Sequence, residues 1–168
     1  MTARAAMIAR MSERPNLFSG APAFDAEDPP GYRGGEIPAG KAAGGRELAV
    51  RAFELPAGES LCPYHYEYAE EWLLVLHGEL DLRTPSGTER LAAGALACFA
   101  PGPQGAHKVT TPADAQAPSR FLMFSSAAEP AVAVYPDSDK IGVFVPGRGD
   151  NVLVRRRDGN VGYYEGEV

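Results

Sequence analysis

From Arg46 onward the chain alternates apolar and polar residues in short runs that stop at turn-forming residues. ELAVRAFEL alternates and ends at Pro56-Ala57-Gly58. LCPYHYEY, EWLLVLHG and ELDLRT follow, the last closed by Pro85-Ser86-Gly87. TERL, a turn at Ala92-Ala93-Gly94, ALACFA, the loop PGPQG, AHKVT and RFLMFSS complete the series. Runs of about five to eight residues, with turns every 8–12, predict an all-β sandwich or barrel. One run departs from alternation: Trp72–Leu76 is apolar at every position. Such a strand needs cover on both faces, from the interior on one side and from an arm, a second sheet or a partner subunit on the other.

The flanks have a different texture. Residues 1–45 carry many breakers and little periodicity and are expected to form an arm ordered only by packing on the body. Residues 127–168 contain strand-like pieces, AVAVYPDSDKIGVFV and VLVRRRDGNVGYY, too few for a core of their own. They are expected to wrap the central segment, 46–126, as an extension of one domain.

Composition narrows the function classes. The chain has 168 residues and a formal net charge of −6, which argues against a nucleic-acid surface. Its one basic run, Arg155-Arg156-Arg157, sits near Asp158, Glu165 and Glu167 and reads as a solvated strand face. Gly and Pro, 19 and 15 residues, are spread as turn punctuation. No apolar run approaches the roughly 20 residues of a membrane span, and the N-terminus lacks the apolar stretch of a signal peptide. Cys62 and Cys98 have no CxxC spacing and are expected as free thiols in a reducing cytoplasm. There is no GxSxG or GxxxxGK[ST] pattern, and the RGD at Arg148–Asp150 reads as a chance tripeptide.

The candidate chemistry lies in GESLCPYHYEYAEEWLLVLHG and in GPQGAHKV. Strand parity puts His65 and Glu67 on one face, opposite Tyr64, Tyr66 and Tyr68. On the next strand Glu71, Leu73 and Val75 share a face opposite Trp72, Leu74 and Leu76. A turn at Tyr68–Glu70 would bring these strands together, and His107 would arrive from a later strand with Val109 on its own face. Two imidazoles and two carboxylates suit one divalent ion with one or two open positions. Glu70 is the alternative to Glu71. Glu67 is either a ligand or a pocket carboxylate beside a three-ligand metal, in which case it is the natural general base. His77, next to Gly78, reads as a strand-end surface residue. The three tyrosines and both cysteines read as packing, and Phe99, Phe121 and Met123 as core rather than pocket mouth.

These residues resemble the two cupin motifs. Glu71 to Gly78 has the spacing of the first, and Gly94, Pro101 and His107 resemble the second. The resemblance covers about residues 46–126. It departs at position 67, where the pattern has a histidine and this chain has Glu67, and at Thr111, where asparagine is frequent. It implies a cupin-like double-stranded β-helix, a jelly-roll barrel with N- and C-terminal extensions. It also implies one divalent metal ion held by His65, Glu67, Glu71 and His107. With both carboxylates bound, the site would be neutral, favouring Mn, Fe or Zn, with Ni or Co as further choices. The activities implied are those of metal-dependent dioxygenases, isomerases, decarboxylases and epimerases on a small organic molecule. A non-catalytic binding or sensing module, and a metal-free barrel, are the alternatives. A homodimer formed through the Trp72–Leu76 sheet is expected from its two-sided hydrophobicity and from the resemblance.

Overall fold

The computed structural model describes residues 14–127, 129–145 and 151–155. The expected run Arg155-Arg156-Arg157 lies mostly outside them, as does the RGD tripeptide. Among these described residues there are thirteen strands, one short helix, α1 (Ala39–Ala42), and two single 3₁₀ turns. In chain order the strands are β1 (Ala23–Phe24), β2 (Gly35–Ile37), β3 (Leu48–Leu55), β4 (Tyr66–Glu67), β5 (Glu71–His77), β6 (Glu79–Thr84) and β7 (Gly87–Ala92). They continue as β8 (Leu96–Phe99), β9 (Lys108–Thr110), β10 (Ser119–Ser126), β11 (Ala131–Tyr135), β12 (Lys140–Phe144) and β13 (Val152–Arg155).

The strands form three antiparallel sheets, in the orders β1-β2-β3-β10-β5-β8, β13-β12-β11-β4 and β7-β6-β9. The all-β jelly-roll reading holds, but among the described residues these sheets do not close into a barrel. In LCPYHYEY the sequence predicts a full strand. Only Tyr66–Glu67 enters a ladder there, and His65 meets His107 through an isolated bridge. Pro63 has no N–H to give to a ladder, which explains why pairing starts late.

The core sits between the sheets. Leu55, Leu73, Val75, Leu80, Leu82, Phe99, Val109 and Phe121 form one buried cluster. Leu73 and Val75 point inward as parity requires, while Trp72, Leu74 and Leu76 lie half-buried on the other face. A second cluster joins Tyr64 and Tyr66 to Ala106 and Val134, so the C-terminal strands pack on the segment that carries His65. The breaker-rich arm is more regular than its composition suggests. Its β2 pairs with β3, and Arg120 of β10 binds the Leu17 and Phe18 carbonyls while forming an ion pair with Glu54.

Candidate metal centre

Three sequence-predicted residues converge. One ligand atom from each of His65, Glu71 and His107 lies within 4.8 Å of the others. The His65–His107 bridge holds two histidines opposite each other through paired backbone hydrogen bonds of 3.1 and 2.8 Å. Glu71 enters from the first residue of β5, on the inward face shared with Leu73 and Val75. Its Oε2 stands 3.8 Å from Nε2 of His107. Two ligands held about 2.1 Å from a tetrahedral metal are about 3.4 Å apart, so a small side-chain rotation closes this pair.

Each histidine is tied to the carbonyl two residues before it. Nδ1 of His65 lies 3.0 Å from the Pro63 oxygen, and Nδ1 of His107 lies 2.9 Å from the Gly105 oxygen. A carbonyl only accepts, so Nδ1 carries the proton in both rings and Nε2 is left with a bare lone pair. That is the tautomer a metal requires, fixed by the backbone in the way outer hydrogen bonds orient metal-binding imidazoles. Phe99 stacks on His107 at 3.7 Å between ring centroids, and Tyr135 of β11 stacks on His65 at 5.9 Å.

Burial sets the charge state of the metal-free site. It holds the His107 pKa down at about 4, with His65 adding to the effect, and also lowers that of His65. Both rings are therefore neutral at pH 7. The Glu71 carboxyl is pushed up to about 7, first by burial and then by the Glu67 charge. Burial also raises Glu67, opposed by Arg51. The Cys62 thiol is pushed to about 12, by burial and then by Glu71 and Glu67, so it is a packing group beside His65 rather than a thiolate.

Glu67 is not in the group of three. It lines the same cavity, but its strand pairs with β11, Glu67 opposite Ala133. Two residues of strand carry it about 6–7 Å past His65. The cavity above the three ligands is about 820 Å³ and is walled by β3, β5, β10 and the C-terminal strands. His77 is exposed at the end of β5 as expected. Phe99 and Phe121 are core, whereas Met123 also lines the cavity. Tyr64 and Tyr66 pack in the second cluster; Tyr68 is exposed at the cavity rim. Sequence reading missed Tyr135 and Arg51 as cavity residues, because one sits in the C-terminal extension and the other is an ordinary-looking strand cation.

No protein-family model and no curated protein matches the sequence. Solved structures do. A protein provisionally described as a sugar phosphate isomerase, from Acidithiobacillus ferrooxidans, superposes with a TM-score of 0.73 at 22% identity, covering 96% of this chain and 94% of the other. A sugar phosphate isomerase of the cupin superfamily from Silicibacter pomeroyi gives 0.65 at 23% identity, covering 77% and 81%. A polyketide cyclase from Streptomyces resistomycificus gives 0.56 at 20% identity, covering 71% and 83%. At these identities the likeness speaks for architecture, and the architecture is clear: this chain has the cupin fold.

Proposed function

We propose that the protein binds one divalent metal ion through His65, Glu71 and His107 and catalyses proton transfer on a small oxygen-bearing organic molecule held in the cavity. The observation that carries this reading is the convergence of two neutral imidazoles, each with Nε2 free, and one carboxylate at the floor of a cavity of ligand size. The donor set suits Mn, Fe or Zn, with Ni or Co as further choices. A metal bound there would polarise a substrate carbonyl or hydroxyl oxygen.

The chain's own residues supply the rest. Pro63 and Gly105 hold the imidazoles in one tautomer and orientation. Glu67 lines the same cavity outside the group of three; as the general base of this proposal it takes a proton from a carbon next to the substrate carbonyl and returns it to a neighbouring atom. Phe53, Leu61 and Met123 keep water from the reacting atoms. Glu67 as base distinguishes this reading from a pure binding module. The test is deuterium uptake from heavy water at the carbon next to the carbonyl of hydroxy-ketone probes, followed by NMR with metal-loaded protein. Uptake that falls at least about a hundredfold in Glu67→Gln, with metal content unchanged, is expected from loss of a general base. Unchanged uptake in that variant removes Glu67 from the reaction.

We also infer a homodimer built on the outer face of the six-stranded sheet. Trp72 stacks on Phe124 there at 6.1 Å, Leu74 and Leu76 are half-buried, and Leu96 is 58% exposed. A contiguous apolar sheet face of this kind is a surface that a second copy can cover.

A further inference from the structure

We infer that the cavity is built for a flat, apolar, uncharged ring compound carrying adjacent oxygen donors, and not for a phosphorylated one; the inference rests on the metal-site reading above. Its first support is the wall. Phe53, Leu61, Tyr68, Met123, Tyr135 and Phe144 line the cavity, contributed by β3, the segments flanking β4, β10, β11 and β12. Aromatic and thioether side chains offer planar, polarisable faces to a ring and little to a hydrated anion. Phe53 packs against the core residue Phe121, with ring centroids 5.6 Å apart and planes tilted by 30°.

The second support is charge. Among the described lining residues Arg51 is the one cation, against the carboxylates Glu67, Glu71 and Glu129. Arg51 is already committed: its Nε lies 3.6 Å from Glu36, and its charge acts on Glu67 across the cavity. With a divalent ion in place the charges of the described lining residues, one arginine against three carboxylates, sum to zero. Phosphate sites draw on several cations or on a helix N-terminus. The one α-helix among the described residues, Ala39–Ala42, does not line the cavity.

The third support is size. A cavity of about 820 Å³ lies near the upper end of the range for small-molecule sites. A single sugar ring would leave much of it filled with water, whereas a fused two- or three-ring compound would reach from the ligand cluster to the apolar wall.

The experiment is calorimetric titration of the metal-loaded full-length protein, its metal content measured before and after. The two probes are 1-hydroxy-2-acetonaphthone and ribose 5-phosphate. The naphthone is expected to bind at least about thirtyfold more tightly, and Phe53→Leu to cost it about tenfold, the effect of one lost aromatic face. Phe144→Ala carries the same comparison if Phe53→Leu does not fold. Equal or tighter binding of ribose 5-phosphate overturns the inference, as does naphthone binding indifferent to these variants. Retained metal with neither probe bound overturns it too, while leaving the metal site standing. A protein that takes up no metal fails one step earlier, and both readings fall together.

Discussion

His65 and His107 each donate Nδ1 to a backbone carbonyl two residues back, while Glu71 faces them with a carboxyl whose pKa is near 7. This combination has a consequence for proton release. Metal binding displaces whatever protons the ligands hold. At pH 6 His107, held down at about 4, is already bare, burial lowers His65 as well, and Glu71, raised to about 7, holds a proton. Calorimetry in buffers of different ionisation enthalpy should therefore show about one proton released per metal at pH 6 and close to none at pH 8. Two or more at pH 6 would mean that the histidines titrate normally and are not buried as described. The same shifts act in opposite directions on metal-free stability. The lowered His107 favours the folded state as pH rises from about 4 to 6.5, and raised Glu71 disfavours it as pH rises from 4.5 to about 7. Parity, spacing and the cupin resemblance together singled out His65, Glu71 and His107, which the fold brings together. Whether Glu67 joined them was not legible, because reach depends on where β4 starts to pair with β11, and that register is set by residues more than sixty positions away.

The loops before the two histidines are as much part of the site as the rings. Gly105 ends the 3₁₀ turn Pro103–Gly105, and its carbonyl orients His107. A Cβ at Gly105 would lie 1.9 Å from the Ala100 carbonyl oxygen, which is backbone and cannot swing away. Gly105→Ala should thus push the turn outward, costing about 2–3 kcal/mol of stability and weakening metal binding about 10–100-fold. Thermal melting and metal titration of the variant check both. A variant with ordinary metal affinity would show that the Gly105 carbonyl does not set the ring. At this scale the sequence was informative wherever hydrophobic alternation ran on without proline: β3, β5, β6 and β10 lie within a residue or two of their expected runs. It was least informative in residues 1–45. There β2 pairs with β3 through only three residues, and Arg120 binds the Leu17 and Phe18 carbonyls. Neither feature leaves a periodic trace in the arm itself.

Over the whole molecule, the six-stranded sheet separates two kinds of surface. Its inner face carries Glu71, Met123 and the cavity; its outer face carries Trp72, Leu74 and the exposed Leu96. Light scattering at low micromolar concentration should give twice the 17.8 kDa chain mass, and a monomer would show that other parts of the chain suffice to cover this face. No helix among the described residues is long and apolar enough to cross a membrane. The jelly roll itself was legible in the sequence, whereas the shortness of β4, which follows Pro63 and pairs through two residues, was not. The central claim is that three side chains from distant points of this fold make one metal site. It is tested most directly by titrating the purified, metal-stripped protein with Mn²⁺ or Zn²⁺ alongside His65→Ala, Glu71→Ala and His107→Ala. One ion per chain is expected for the native protein, with affinity down by at least about a hundredfold in each variant. Native stoichiometry and affinity in any of the three would contradict the shared site.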